Sequence, residues 1–400
     1  MMKQKRSQLL VCIGAFWLLL IAWYPVSAAE PTTAPSTPKD TIVQEQLERL
    51  DTKDIEAFWQ KVLDKYGGYL PESEGQSLFE MVTGEKALSL SGVAKGLGAF
   101  LFHELLINGK LLGAILIITV FAMVLETMQT AFEKNTVSTV AYAISYLVLI
   151  ILAVNSFRIA IDFAQGAISD MVGFMLALMP LVLALLASTG GITSAALFHP
   201  MVIFLVNTSG MLISTIVFPL LFLSALLSIV SSFSVKYQLT RLAKLLRTIS
   251  LGLMGSFLTI FLAVLSLQGA TAAVADGVAI RTAKYIAGNF VPVVGRVFAD
   301  AAETVVGASL LVKNAVGMIG VIILLFLVAF PALKILILAF IYNLSSAVMQ
   351  PLGNSPILSC LSIIGKNLLY IFAALATVSL MFFLAITIVI SAANVSVMMR

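Results

Sequence analysis

Apolar residues run along this chain in blocks too long and too even to be the one-sided stripes of a soluble helix bundle. Residues 111–131, 137–157, 168–188, 200–218, 219–234, 249–267, 315–330, 331–350 and 368–392 are almost continuously apolar. Each is near the ~20 residues a helix needs to cross hydrocarbon. The pattern predicts an all-α, polytopic helical membrane domain over 108–400. Two runs, 200–234 and 315–350, are too long for one upright helix, and each carries a Phe-Pro step, Phe218-Pro219 and Phe330-Pro331. Proline removes a helix hydrogen bond and crowds the preceding turn, so Pro219 and Pro331 are candidate helix breaks. Each run is then either a tight hairpin or one broken helix, which gives nine or seven spans.

Charge bears weakly on that choice. Lys236, Arg241, Lys244 and Arg247 form a short basic segment, which the bias of cytoplasmic loops toward Lys and Arg places inside. That position requires 200–234 to cross twice. The hairpin form, with nine spans, is therefore favoured, and it puts the N-terminal segment outside and the C-terminus in the cytoplasm. The side on which 269–314 lies depends on the same choice.

Upstream the pattern changes twice. Lys3, Lys5 and Arg6 precede an apolar run from Leu9 to Tyr24, then Pro25 and the small residues Ser27, Ala28 and Ala29. Those are the three parts of a cleavable signal peptide, assigned to 1–28, with an uncleaved anchor as the alternative. Residues 29–107 then form an extracytoplasmic segment, beginning with a Pro/Thr/Ser-rich linker. Within it Ile55, Phe58, Trp59, Val62, Leu63 and Tyr66 mark one apolar helical face. Gly67-Gly68 stops that helix through a left-handed cap. The face suits docking on a partner or on the membrane portion. A further stretch, 88–107, has the makings of an interfacial helix before the first span.

Composition adds exclusions. With 60% hydrophobic and 11% charged residues and a formal charge of +4, most of the chain belongs in lipid, and no basic run tracks nucleic acid. The two histidines, His103 and His199, sit in no ligand spacing, so no metal site is assigned. There is no phosphate-binding loop, no dinucleotide fingerprint and no nucleophile elbow. The reading is of a non-enzyme without a cofactor. Gly92-x-x-x-Gly96 and Gly109-x-x-x-Gly113 have helix-packing spacing, which is frequent by chance in a glycine-rich chain.

Few charges fall at span depth. Lys334, just after Pro331, is the candidate intramembrane charge, because a cation there needs a partner or a route to the interface. The others cluster in 269–314, a polar amphipathic stretch rich in Ala and Gly. Arg281, Lys284, Arg296, Asp300, Glu303, Lys313 and Asn314 are candidate pore-lining or partner-facing residues, with Asp276 in the same stretch. The competing reading is a pair of interfacial helices whose charges are solvated.

Two blocks give the sequence a family likeness. One is Phe58-Trp59 with Tyr66-Gly67-Gly68-Tyr69-Leu70-Pro71-Glu72-Ser73. The other includes Arg281-Thr-Ala-Lys284, Val291-Pro-Val-Val-Gly295, Ala299-Asp300-Ala-Ala-Glu303-Thr-Val-Val-Gly307 and Lys313-Asn314-Ala-Val-Gly317. With the signal peptide and the polytopic portion, these resemble the stage III sporulation protein AE family of endospore-forming bacteria, over essentially the whole chain. The resemblance implies a subunit of the channel complex between mother cell and forespore, in the mother-cell-derived outer forespore membrane. It implies as partners the other stage III A membrane proteins and their secretion-type ATPase. The residues themselves also allow a stand-alone secondary transporter, with Lys334 as its coupling charge, or a structural scaffold.

Overall fold

The computed structural model describes residues 52–70, 89–131, 136–233, 239–290, 294–353 and 355–398. The expected signal peptide and linker fall within 1–51, outside the described residues. All described residues belong to one compact unit, Ile42–Arg400, and the other unit, Met1–Thr41, is not described.

Nine α-helices carry the described chain: α1 Lys53–Tyr66, α2 Leu90–Ile107, α3 Gly109–Ala131, α4 Thr136–Ser188, α5 Ile192–Leu212, α6 Phe218–Phe233, α7 Thr240–Phe290, α8 Val294–Met349 and α9 Pro356–Met398. No strand occurs among these residues. The protein is an all-α, multi-pass membrane protein, with six helical runs among the described residues long and apolar enough to cross a bilayer. These are α3, α4, α5 continued by α6, α7, α8 and α9.

Where seven to nine runs were expected, the described residues hold six long ones, and each merger has a local cause. Residues 137–157 and 168–188 lie in one helix, α4. The polar interval between them holds Arg158, Asp162 and Gln165 but no proline, so nothing forces the backbone out of the helix. The hairpins expected at Phe218-Pro219 and Phe330-Pro331 are absent. Pro331 sits inside α8, and α5 runs into α6 through a π-helical turn, Ile213–Val217.

That turn is how the chain absorbs Pro219. The Phe218 N–H bonds to the Ile213 carbonyl, five residues back, so the next carbonyl, Ser214, faces a proline with no N–H to give. A buried carbonyl without a donor is costly. Here Gln165 Nε2, from α4, donates to it at 3.2 Å.

Successive long helices run antiparallel. The basal end is where α3, α6 and α8 finish, and the apical end is where α4, α7 and α9 finish. Cross-helix contacts fix the register: Gly320 lies against Leu178, Gly317 against Ile390, and Gly269 against Ile388 and Phe198. An ideal Cβ on Gly317 would sit 2.0 Å from Ile390 Cδ1, so any side chain there would have to displace the end of Ile390 from the contact of α8 with α9. With an even number of runs, the start of α3 and the end of α9 face the same side if all six cross. An odd count would have put the N-terminal segment and the C-terminus on opposite sides.

α1 docks on the membrane helices through the face the pattern marked. Ile55, Trp59, Val62 and Tyr66 are buried; Phe58 meets Phe174 edge-on at 5.6 Å, and Trp59 meets Phe326 at 6.0 Å. Its stop differs from the expectation. Gly67 has φ −55° and leads into a 3-10 turn, Gly67–Tyr69, so no left-handed cap is used. The turn itself packs tightly, since a Cβ on Gly96 would fall 2.0 Å from the Tyr69 carbonyl oxygen. Gly109 and Gly113, by contrast, have open space around them.

Candidate functional site

The charges of the polar stretch do not converge on one surface. Asp276, on the apical part of α7, is buried. Its Oδ1 accepts from Thr193 N–H at 3.0 Å and its Oδ2 from Ser194 N–H at 3.1 Å. Those are free donors of the first turn of α5, which an N-cap side chain normally satisfies. The local cap is Gly191, which has no side chain, and a Cβ there would lie 2.7 Å from Leu186 Cδ1. The tight 188–192 corner therefore leaves the cap to another helix, and Asp276 supplies it with a charge that suits the positive end of α5.

Lys313 is also buried. Its Nζ donates to the Ile390 carbonyl and to Asn394 Oδ1, both at 3.0 Å. It therefore clamps α8 to α9 and lines no open surface. Asn314 and Arg281 are exposed. Lys284 lies on the last turns of α7, and Arg296, Asp300 and Glu303 on the first turns of α8; their side chains are outside the described ones.

A second polar cluster forms at mid-height, where α1 and α2 meet α4 and α8. Lys334 Nζ lies 3.8 Å from Glu104 Oε2, with side chains 22% and 13% exposed. The ammonium stands 4.8 Å from the Phe163 ring centroid and 5.9 Å from that of Phe100. Glu104 also accepts from Asn108 Nδ2 at 3.1 Å. At 3.8 Å the ion pair is not a hydrogen bond; carboxylate and ring faces together offset the desolvation of the cation. Lys334 is thus a paired charge.

Next to it, Lys61 of α1 donates to Asp170 of α4 at 2.6 Å. A cavity of about 90 Å³ opens there, lined among others by Lys61, Tyr66, Asp162, Asp170, Leu327 and Pro331. Tyr66 stacks on Phe330 at 4.0 Å. Burial, then the nearby carboxylates of Asp170 and Glu104, push its phenol up to about 12, so it stays neutral and donor-competent. The cluster joins the N-terminal segment to the membrane bundle by charge and by aromatic stacking.

Sequence reasoning singled out Lys334, Lys313 and the 269–314 charges. It missed Glu104, Asp170, Lys61 and Gln165, whose partners lie 49 to 230 residues away in the chain. A usable signal existed for Glu104 and Lys334, each an isolated charge inside an apolar run. For Gln165 there was none.

Comparison with known proteins gives two matches. The profile of the family described as Stage III sporulation protein AE matches residues 73–393. Stage III sporulation protein AE of Bacillus subtilis (strain 168) is 52% identical over 394 residues, covering 96% of this chain and 99% of that protein. No solved structure matches.

Proposed function

Because this chain belongs to the stage III sporulation protein AE family, we propose that it acts in sporulation as a non-enzymatic membrane subunit of the channel complex between mother cell and forespore. The observation that carries this reading is the near end-to-end similarity to a sporulation protein. It extends through both blocks that gave the sequence its family likeness. The partners we assign are the other stage III A membrane proteins and their secretion-type ATPase, in the outer forespore membrane. The basal charges Arg241, Lys244 and Lys366 support a cytoplasmic basal end, by the bias of cytoplasmic loops toward Lys and Arg. The docked N-terminal segment, the polar stretch 269–314 and the C-terminus then face the intermembrane space.

The arrangement supports a fixed subunit. Lys313 and Asp276 tie helices together, and α1 is anchored over the bundle by buried aromatic contacts. The test is affinity capture of the tagged protein from sporulating cells. Recovery of the other stage III A membrane proteins is expected, and recovery without any sporulation-specific membrane partner would sink the proposal.

One observation favours a second reading. The Lys334–Glu104 pair lies near Pro331 and a small cavity, and paired charges within membrane helices mark ion pathways in transporters. A stand-alone transporter predicts solute movement by the purified protein in liposomes, lost in Lys334→Met.

A further inference from the structure

Arg247 is a cation held in the bundle by neutral groups alone. It lies near the basal start of α7, half-buried where that helix packs on α6 and α9. Its Nη2 donates to Ser228 Oγ of α6 at 3.3 Å and to Asn367 Oδ1 of α9 at 3.2 Å. Its Cζ stands 5.0 Å from the centre of the Tyr370 ring. Nε is buried without an acceptor, whereas Nη1 is not buried and bonds to no described residue. Protein therefore holds the guanidinium by one edge and one face, and the remaining nitrogen faces outward.

A carboxylate is the usual partner of an arginine so placed, because a cation loses much solvation when it enters a bundle. None is at hand. The sequence contains no Asp or Glu between Asp170 and Asp276, and none after Glu303. Thus α5, α6 and α9 carry no acid at all, and α7 carries none before Asp276. The basal carboxylate among the described residues, Glu126 near the end of α3, accepts from Ser355.

The charges that accompany Arg247 are cations. Lys244 stands one turn before it on α7. Lys366 precedes Asn367 on α9 and lies four residues from Tyr370, on the same side of that helix. Both lysines are exposed, as is Arg241 at the start of α7. Like charges one turn apart repel, and an anion among them reverses the sign of that interaction.

The position along the helices identifies the anion. In α7 no charge follows Arg247 until Asp276, and in α9 none follows Lys366 to the last residue, Met398. Each helix therefore enters a long charge-free run just apically of its last cation. Lys and Arg at such a boundary lie at the height of lipid headgroups. The adjoining turns are apolar and reach the surface, through Leu251 on α7 and Leu369 and Ala373 on α9. A phosphate at the cations with hydrocarbon apically of it is the order found in a phospholipid. Guanidinium suits phosphate, since its planar donors match the oxygens and it is weakly hydrated. The two lysines disfavour a headgroup that carries its own cation, such as choline.

We propose that Arg247, Lys244 and Lys366 form a phosphate site at the basal junction of α6, α7 and α9, with an anionic phospholipid as its source of phosphate. Basic pockets between membrane helices bind anionic headgroups in this way. The inference concerns lipid binding and stands apart from the role in sporulation.

The test counts lipid retained by the delipidated full-length protein, by native mass spectrometry in a neutral detergent. Phosphatidylglycerol is expected to remain bound at concentrations at which phosphatidylcholine does not. Lys366→Gln, a change at an exposed position, should weaken that binding about fivefold, the usual contribution of one cation at an anionic surface. Arg247→Gln should weaken it further, and Arg247→Lys should restore it only in part, because an ammonium lacks the planar fork. Lys110→Gln, which removes an exposed cation at the start of α3, should leave it unchanged. Should Arg247→Gln misfold, a second measurement stands without it: phosphatidylglycerol should raise the unfolding midpoint of the unsubstituted chain more than that of Lys366→Gln. Inorganic phosphate, added to the protein in phosphatidylcholine nanodiscs, separates the sources. A Lys366-dependent rise there keeps the phosphate site and makes a soluble phosphate its ligand; no rise leaves the lipid. Equal retention of the two lipids, or equal losses in Lys366→Gln and Lys110→Gln, would overturn the inference.

Discussion

Asp276 and Lys313 show how this protein spends its few charges inside the bundle, and each predicts a contrast between two substitutions. Asp276 satisfies two backbone donors of α5. Asp276→Ala leaves both buried and unpaired, a loss of about 1–3 kcal/mol by the usual cost of such groups. Asp276→Asn keeps one acceptor and should lose less than half as much. Thermal unfolding in detergent compares the two. Lys313 behaves differently, since its bonds go to a carbonyl and an amide. Lys313→Met removes charge and desolvation together and should be nearly neutral, whereas Asn394→Leu strands a buried cation and should lower the unfolding midpoint clearly. The reverse order would show that Lys313 is held by something other than this clamp. The charge pattern placed both residues in the right stretch but not facing inward, because the helices that receive them, α5 and α9, lie about 80 residues away in sequence. Arg281 and Asn314 are exposed.

Among the elements, the uninterrupted run from α5 to α6 carries the clearest lesson. A Phe-Pro step reads as a break because proline lacks a donor and crowds the previous turn. The π turn relieves the crowding, and Gln165 replaces the donor. Neither device has a sequence signature, which is why the hairpin reading failed here while the apolar face of α1 was legible residue by residue. A double-mutant cycle tests the repair. Gln165→Leu should cost about 1–3 kcal/mol by leaving Ser214 without its donor. In a Pro219→Ala background, where residue 219 regains an N–H, most of that cost should disappear. Additive losses would refute the coupling. Docking of α1 is tested by Trp59→Ala, which opens a cavity against Phe326 and should cost about 3–5 kcal/mol. It should also raise tryptic cleavage at Lys61 and Lys65 of α1, and an unchanged cleavage rate would show that Trp59 contributes little to holding α1 in place.

For the whole molecule, hydropathy identified the class and most of the apolar residues, yet divided them into more helices than the six long runs of the described residues. Hydropathy sees blocks, and a helix twice as long as a bilayer is thick appears as two blocks whenever a few polar residues fall in its middle. Arg158, Asp162 and Gln165 did this in α4. Those residues are a polar interval within one continuous helix, beside the docked N-terminal segment. The central proposal is therefore that all six runs cross, an even count that would return the C-terminus to the side of the N-terminal segment. Labelling of single cysteines by a membrane-impermeant maleimide, in intact and then permeabilised protoplasts and in a Cys12→Ala, Cys360→Ala background, tests it directly. Cysteines placed at residue 80, at residue 236 and after Arg400 are sufficient. The account predicts that positions 80 and 400 react in intact protoplasts and position 236 only after permeabilisation. Reaction of position 80 with protection of the C-terminus would restore an odd count and contradict the account.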